Sequence, residues 1–223
     1  MVGSVNILAV SDQVLPHLYS SHVRETYPRL DLIVGCGDLP FYYLEYLVSA
    51  LDVPLVYVRG NHDTTPQYTI DGRVLTGVDG GINLHGRVVN IKGLWMAGLE
   101  GSMRYRPNAP IMYTESEMRY EVARLAPHLL WNRLRYGRAL DILVTHSPPF
   151  DIHDRADRAH MGFRIFHDFM RWFRPRYVLH GHVHIYRRDQ PRVTLFEETT
   201  IVNVYPYRLI DLRRPPLIDN RYR

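Results

Sequence analysis

Five short apolar segments of this sequence end in side chains that can bind a metal ion. The residues at these ends are carboxylates, an amide and imidazoles, namely Asp12, Asp38, Asn61, His146, His182 and His184. Short apolar segments bounded by glycine or proline are typical of buried strands. Polar side chains at the end of a buried strand cost free energy unless they have partners or a use. The recurrence of this pattern therefore indicates a functional site.

The chemistry that this set of side chains favours is metal binding. In open α/β sheets ligands bind outside the carboxyl ends of the strands, so parallel strands would bring all these residues to one edge. Two carboxylates, one amide and three imidazoles exceed the ligand set of one ion. They suit two divalent cations about 3.5–4 Å apart, with one bridging group. Mixed oxygen and nitrogen ligands favour Mn²⁺, with Fe or Zn²⁺ as alternatives, over Mg²⁺ or Ca²⁺.

The first part of the chain alternates the strands and helices that must position these residues. Apolar runs predict strands at 5–11, 32–34 and 55–58, and helix-like spacing predicts helices at 16–27 and 40–51. The order strand, helix, strand, helix, strand is typical of parallel α/β layering with right-handed crossovers. The sequence therefore predicts parallel strands whose ends carry Asp12, Asp38 and Asn61.

The second part mixes short β-segments with two longer helices. A capping box at Thr114–Glu117 predicts the start of a helix, which Pro127 is expected to interrupt. The other predicted elements are strands at 88–91, 94–97, 142–145 and 177–179, a helix at 162–173, and a hairpin or meander at 193–212. No linker divides the chain. We therefore expect a single domain over residues 1–212, followed by a surface tail at 213–223.

Composition places the chain among soluble globular proteins. It has 223 residues, of which 46% are hydrophobic and 22% charged, and no window is apolar enough for a transmembrane helix. The N-terminus lacks the pattern of a signal peptide, and Cys36, the only cysteine, can form no intrachain disulfide. These features predict a cytoplasmic protein. Lys92 is the only lysine among the 27 basic residues, but the arginines are spread along the chain, which does not favour nucleic acid as a partner.

Taken in order, the motifs resemble those of the calcineurin-like metallophosphoesterases. The matching segments are Asp12, Gly37-Asp38, Gly60-Asn61-His62-Asp63, Thr145-His146 and Gly181-His182-Val183-His184. One such match is a weak signal, but five in order at strand ends are specific. The resemblance implies an α/β fold in which two mixed sheets form a β-sandwich flanked by helices. It also implies a dinuclear metal centre between the strand ends of the two sheets.

The resemblance also implies a role for each matching residue. Asp38 would bridge two metals, Asp12 and His184 would complete the first site, and Asn61, His146 and His182 would complete the second. A hydroxide bridging the metals would be the nucleophile, since two divalent cations ionise a shared water near neutral pH. His62 would be the general acid or would stabilise the leaving oxygen. Asp63 would orient the His62 ring, since a neighbouring carboxylate fixes the tautomer.

One position departs from the family pattern. The first motif is normally Asp-X-His, whereas here the stretch is Asp12-Gln13-Val14, and valine cannot bind a metal. Alternation along a strand would place residues 12 and 14 on the same side and point Gln13 away. His17 is not favoured as a substitute, because it is expected to lie in the following helix. We therefore expect a weaker or more exchangeable first metal, not a dead site.

Some polar residues outside the motifs leave more than one interpretation open. The loop at 151–160 contains three aspartates and two histidines, and is either a solvated loop or part of the substrate pocket. Arg104 and Arg106, in another long loop, are weaker candidates for phosphate contacts. His180 is expected to be a packed or hydrogen-bonded neighbour of the site and not a ligand.

These observations predict a metal-dependent phosphoric ester hydrolase that acts on a small phosphorylated substrate, with a phosphodiesterase as the first choice and a phosphomonoesterase open. The alternative is a binding scaffold on the same fold whose metal site is weakened or lost. The valine at position 14 favours the scaffold, and retention of the other motif residues favours the enzyme. A nuclease is not supported, since no basic stripe with interleaved aromatics is present. Oligomeric state is left open.

Overall fold

A computed structural model describes residues 5–187, 189–212 and 219–222. The described residues form four helices, α1 (Val23–Thr26), α2 (Phe41–Leu51), α3 (Glu115–Tyr136) and α4 (Ile165–Phe173). Their strands are β1 (Asn6–Val10), β2 (Leu32–Cys36), β3 (Leu55–Val58), β4 (Gln67–Tyr68), β5 (Val74–Leu75), β6 (Gly81–Asn83), β7 (Val88–Ile91), β8 (Leu94–Leu99), β9 (Ser102–Met103), β10 (Met112–Tyr113), β11 (Ile142–Thr145), β12 (Tyr177–His180), β13 (Val193–Phe196), β14 (Thr199–Asn203), β15 (Tyr207–Asp211) and β16 (Asn220–Tyr222). No helix in this part of the chain is long and apolar enough to cross a membrane.

Two large mixed sheets dominate the fold. The first has the order β15-β1-β2-β3-β6, in which β1, β2, β3 and β6 are parallel and β15 is antiparallel to β1. The second has the order β16-β13-β14-β12-β11-β8-β7, with β8, β11, β12 and β14 parallel at its centre. Because β1, β2 and β3 run in parallel, their carboxyl ends meet at one edge, and the carboxyl ends of β11 and β12 meet in the same way.

The two sheets pack face to face, and helices cover their outer faces. Ile7, Val34 and Val56 of the first sheet share one buried cluster with Met96 and Val144 of the second. A second cluster lies between the second sheet and helices α3 and α4, and a third lies between the first sheet and α2. Alternate residues of each central strand therefore enter different clusters. This explains why these strands are apolar without alternation, since both of their faces are buried.

The predicted β-sandwich of two mixed sheets flanked by helices is confirmed. The parallel order of the first three strands is as predicted, and β13 and β14 form the expected antiparallel hairpin. The following strand, β15, leaves that hairpin and joins the first sheet beside β1. Of the predicted tail at 213–223, residues 213–218 and 223 lie outside the described residues, and β16 pairs with β13 at the edge of the second sheet.

Two helices differ in length from their predictions. The helix expected at 16–27 is limited to α1, because the chain before it forms turns in which Leu18 and Tyr19 donate to the Leu15 carbonyl. Helix α3 begins at the predicted capping box but continues through Pro127. The proline lies on the exposed face, while Leu125 and Leu129 on either side are buried. Packing of the apolar face thus outweighs the hydrogen bond that the proline removes.

Candidate metal centre

The backbone turns sharply at the ends of the strands that carry the candidate ligands. Asp12 follows β1 with φ 62°, Asp38 follows β2 with φ 54°, and His182 follows β12 with φ 67°. Non-glycine residues rarely adopt this left-handed conformation, and such strain is concentrated at functional sites. The three turns direct a carboxylate, a second carboxylate and an imidazole into the space between the two sheets.

Asp38 and Asn61 are held by the backbone of the loop after β3. The Oδ1 atom of Asp38 accepts a hydrogen bond of 2.8 Å from the His62 amide. Gly60 is required here, because a Cβ atom at this position would collide with the Asp38 carboxylate. The Asn61 amide nitrogen donates to the Tyr105 hydroxyl at 3.3 Å, which turns its Oδ1 oxygen toward His146.

The second sheet contributes two buried histidines, and one ring nitrogen of each is hydrogen-bonded to a backbone carbonyl. His146 Nδ1 lies 2.8 Å from the Cys36 carbonyl oxygen, and His182 Nε2 lies 2.7 Å from the Ala159 carbonyl oxygen. A carbonyl can only accept, so these nitrogens carry the protons. The opposite nitrogens, His146 Nε2 and His182 Nδ1, are then the ones at which a metal could bind.

These residues converge on one point. Ligand atoms of Asp38, His146 and His182 all lie within 4.8 Å of one another. His146 Nε2 is 3.4 Å from Asp38 Oδ2 and 3.1 Å from Asn61 Oδ1. Asp38, Asn61, His146 and His182 therefore form one group drawn from both sheets. The ligands come together across the sandwich and not at one edge of one sheet.

Asp12 and His184 form a second pair beside this group. His184 Nε2 lies 3.5 Å from Asp12 Oδ1, and the other Asp12 oxygen accepts from the backbone amide of His182 at 2.9 Å. The His184 ring stacks on Tyr205 with 4.3 Å between centroids and 11° between planes. Stacking fixes the ring of a histidine that is otherwise partly exposed. Every metal ligand predicted from the sequence thus lies at this centre.

Burial and neighbouring charges shift the pKa values of the candidate ligands. Burial opposes ionisation of Asp38, but the neighbouring His146 and the His62 amide hold the pKa of Asp38 well below its usual range. Burial lowers the pKa of His182 to about 3, and the charge on His146 contributes in the same direction. His182 is therefore neutral near pH 7, as a metal ligand must be. Burial opposes a charge on His146, but the Asp38 carboxylate raises the pKa of His146 to about 9, so a metal ion would have to displace this proton.

The donor set fits divalent metal ions. Carboxylate oxygens, an amide oxygen and neutral imidazole nitrogens are the ligands that Mn²⁺, Fe and Zn²⁺ accept. The hydrogen bonds from His146 and His182 to backbone carbonyls are the kind of support that metal-bound histidines have. Within this set, Asp38, His146 and His182 are close enough to one another to bind a single ion.

The segment after Asp12 differs from the alternation predicted for it. The positive φ of Asp12 ends the strand, and Val14 packs against the cluster between the first sheet and α2. Gln13, predicted to point away, instead accepts from the Tyr205 hydroxyl at 3.4 Å, beside His184. His17 packs against Tyr207, with 5.1 Å between ring centroids. In the described structure neither Val14 nor His17 lines the cavity at the centre.

Asp63 has different partners from those predicted. Its Oδ2 atom accepts from the backbone amides of Asp38 at 2.8 Å and Gly60 at 2.7 Å. Within the described residues, no hydrogen bond joins Asp63 to the His62 ring, which is exposed. Burial, together with the charge of Asp38, raises the pKa of Asp63 to about 7. Asp63 therefore ties two strand-end loops together and does not orient the His62 ring.

The centre opens into a cavity of about 420 Å³. Five of the six candidate ligands and four further residues line it: Asp12, Asp38, Asn61, His182 and His184, with His62, Tyr105, Ala159 and His160. The loop at 151–160 thus contributes to this cavity through Ala159 and His160, in agreement with the second of its two interpretations. Tyr105 was missed, because an aromatic residue in a polar loop carries no signal of its own.

Other residues singled out in the sequence lie around the centre. Arg104 donates to the Met112 carbonyl and forms an ion pair with Glu117, so it is directed away from the cavity. Arg106 lies over the Tyr105 ring. His180 is fully buried and its Nε2 lies 2.9 Å from His153 Nδ1. As expected, His180 is a hydrogen-bonded neighbour of the centre. The His153–His180 contact was not predicted.

Comparison with known proteins agrees with this architecture. Residues 12–186 match the family model described as calcineurin-like phosphoesterase. A Haemophilus influenzae protein described as uncharacterized is 27% identical over 174 aligned residues, and the match covers 73% of this chain and 71% of the relative. The crystal structure of TT1561 of Thermus thermophilus is similar with a TM-score of 0.64 and 18% identity, over 95% of this chain and 96% of that one.

A further crystal structure is similar over 96% of this chain and 97% of its own, with a TM-score of 0.65 and 15% identity. At these identities the two solved structures support the fold alone. The family match covers most of the chain and includes every strand end that carries a candidate ligand. The chain therefore belongs to the calcineurin-like phosphoesterase family.

Proposed function

We propose that the protein is a phosphodiesterase that acts on small phosphorylated substrates with two divalent metal ions. Family membership supports a metal-dependent phosphoester hydrolase in general. The observation that carries the finer proposal is the convergence of Asp38, His146 and His182 within 4.8 Å, beside a cavity that Asp38 and His182 line.

The chain's own residues divide into two sets of ligands. Asp38 would bind both ions, Asn61, His146 and His182 would bind one of them, and Asp12 and His184 would bind the other. When bound, the two cations supply a water that is ionised near neutral pH and offset the charge that develops on the phosphoryl oxygens. Mn²⁺ is the preferred ion, with Fe or Zn²⁺ as alternatives. The site with Asp12 and His184 has fewer ligands and would bind its ion more weakly.

The remaining residues position the substrate and the loops. His62 is exposed at the cavity and would contact the leaving oxygen, while its backbone amide holds Asp38. Asp63 binds the amides of Asp38 and Gly60 and so keeps the loops after β2 and β3 in register. A displaced Asp38 would separate the two metal sites, so this backbone contact supports the centre indirectly.

Charge and size of the cavity support a small diester. A volume of about 420 Å³ suits a small molecule better than a polymer. Among the residues that line the cavity in the described structure, none is Arg or Lys. A monoester dianion is commonly bound by arginine forks, whereas a singly charged diester needs less compensation. We place the reaction in the cytoplasm, since the one cysteine, Cys36, is buried and unpaired.

Metal analysis combined with hydrolysis of two aryl esters tests the proposal. The protein is loaded with Mn²⁺ and assayed with bis(4-nitrophenyl) phosphate and 4-nitrophenyl phosphate, beside His62→Ala and the exposed-surface control His128→Ala. We expect bound metal, turnover of the diester above that of the monoester, and loss of turnover in His62→Ala alone. Bound metal with no turnover above His62→Ala would instead support the scaffold.

A further inference from the structure

A second imidazole, His160, faces the centre from the loop between β11 and α4. It lines the same cavity as Asp12, Asp38 and His62. Its ring centroid lies 5.2 Å from that of His182, one of the proposed ligands. A group bound at the metals would therefore lie within reach of this ring, on a side of the cavity built by a different loop from the one that carries His62.

His160 has the carboxylate partner that His62 lacks. Its Nδ1 atom lies 2.7 Å from Asp157 Oδ1, and its backbone amide donates to the same oxygen at 3.2 Å. The two contacts fix both the ring and the chain that bears it. Nε2, on the opposite side of the ring, has no hydrogen bond within the described residues. Among the described residues, the His62 ring has no carboxylate partner, since Asp63 is bound to backbone amides.

An ordinary surface pair makes a useful contrast. His22 and Glu25 have the same three-residue spacing, with 3.2 Å between His22 Nδ1 and Glu25 Oε2, and both side chains are exposed. That pair lines no part of the cavity. What distinguishes His160 is therefore not the ion pair itself but its place beside His182 with one ring nitrogen unused.

We propose that His160 is a further catalytic residue, whose Nε2 donates a proton to the leaving-group oxygen of the bound phosphodiester, and that Asp157 is the residue that positions it. His62 would stabilise the same oxygen from the loop after β3. This role rests on the proposed phosphodiester hydrolysis. A carboxylate that accepts from Nδ1 holds the ring in the orientation that presents Nε2 to the substrate, and Nε2 can donate when both ring nitrogens carry protons.

The step is balanced without an added reactant. A water oxygen forms a bond to phosphorus while the bond from phosphorus to the leaving oxygen breaks. The proton on His160 Nε2 passes to that oxygen, which departs as an alcohol or phenol. The attacking water releases one proton to the solvent, to which the cavity is open, and the ring regains one proton from the solvent. A leaving oxygen that is already a stable anion gains little from this proton, whereas a basic one gains much.

Leaving-group dependence tests the assignment. 4-Nitrophenyl methyl phosphate and phenyl methyl phosphate differ only in how basic the departing oxygen is. For His160→Ala we expect kcat to fall about 100-fold or more with the phenyl ester and about tenfold or less with the nitrophenyl ester. Asp157→Asn should shift kcat in the same direction by about tenfold with the phenyl ester. His22→Ala and Glu25→Gln are the matched controls and should behave as wild type.

Metal content of each Mn²⁺-loaded variant, measured by atomic spectrometry, is the second readout and should equal that of wild type. Loss of metal in His160→Ala would mean that the residue acts through His182, which overturns the catalytic role. Equal losses on the two esters, or none, overturn it as well. A wild-type protein that binds Mn²⁺ but hydrolyses neither ester overturns the proposed function itself. If wild type and His160→Ala are equally active, the catalytic role of His160 is overturned and the proposed function is not affected.

Discussion

His146 Nδ1 lies 2.8 Å from the carbonyl oxygen of Cys36, so a hydrogen bond crosses from the end of β11 in one sheet to the end of β2 in the other. Cys36 is two residues before Asp38, and Gly37 between them has no side chain to obstruct the imidazole. The bond fixes which nitrogen of His146 is free, and it couples that histidine to the loop carrying the proposed bridging carboxylate. Metal binding and the packing of the two sheets are thus joined at this contact.

His146→Ala should therefore lower metal affinity and leave the Cys36 carbonyl without its partner. We expect Mn²⁺ to bind at least about tenfold more weakly and the metal-free protein to lose about 1–3 kcal/mol of unfolding free energy. Isothermal titration calorimetry and urea unfolding measure the two quantities. The matched control is His167→Ala, because His167 Nε2 also lies close, at 2.7 Å, to a backbone carbonyl, that of Phe150, away from the cavity. Unchanged Mn²⁺ affinity in His146→Ala would contradict its role as a ligand.

Gly60→Ala should disturb Asp38 without removing any polar group. A Cβ atom on Gly60 would meet both the carboxylate and the backbone nitrogen of Asp38. We expect a loss of about 1–3 kcal/mol in unfolding free energy together with weaker Mn²⁺ binding. Gly77→Ala is the control, since neither glycine has a positive φ and the nearest atom at Gly77 is the Tyr57 hydroxyl at 3.3 Å. The prediction fails if Gly60→Ala binds Mn²⁺ as tightly as Gly77→Ala.

The sequence could predict the strands that carry ligands because each is buried on both faces and is therefore uniformly apolar. It could also predict that polar residues at five strand ends belong together. The apolar segments alone could not predict that they meet across two sheets, because nothing in an apolar segment states which sheet it joins; the family resemblance implied that arrangement. Contacts made by backbone carbonyls, such as that of Ala159 with His182, carry no side-chain signal. The orientation of Val14 depends on the φ of Asp12, which a strand pattern does not contain.

Val14→His should not restore a ligand to the first metal site, although it recreates the Asp-X-His motif. Val14 packs against the cluster between the first sheet and α2, so an imidazole there would enter an apolar environment. We expect about 1–2 kcal/mol of destabilisation and no gain in Mn²⁺ affinity. Calorimetric titration of wild type should show two unequal sites per chain, and the variant should show the same weak site. Two equal sites in wild type, or a strengthened weak site in Val14→His, would contradict the prediction.

His153 should make the protein less stable in mild acid. Its ring binds His180 at 2.9 Å and the Thr194 hydroxyl at 2.8 Å, and burial lowers its pKa to about 4, partly offset by Asp219. An unfolded histidine has a pKa of about 6.5. Between these values the unfolded chain binds more protons than the folded state, so the unfolding free energy falls as the pH falls.

Between pH 7 and pH 5 this contribution amounts to about 2 kcal/mol at most. His180 and His182 act in the same direction, because burial holds the pKa of each well below the usual range. Asp63 and His146 act in the opposite direction, since their raised pKa values make the folded state bind more protons in this range. Comparing variants at both pH values separates His153 from the other four.

The measurement is urea unfolding of metal-free protein at pH 7 and pH 5, with His153→Gln beside wild type. Glutamine can still hydrogen-bond but cannot gain a charge, so the loss of stability on acidification should be smaller in the variant. His128→Gln changes an exposed histidine on α3 and should keep the full wild-type loss. If His153→Gln and wild type lost the same free energy between the two pH values, protonation of His153 would not be coupled to unfolding. A larger loss in the variant would mean that the sign derived from burial is wrong.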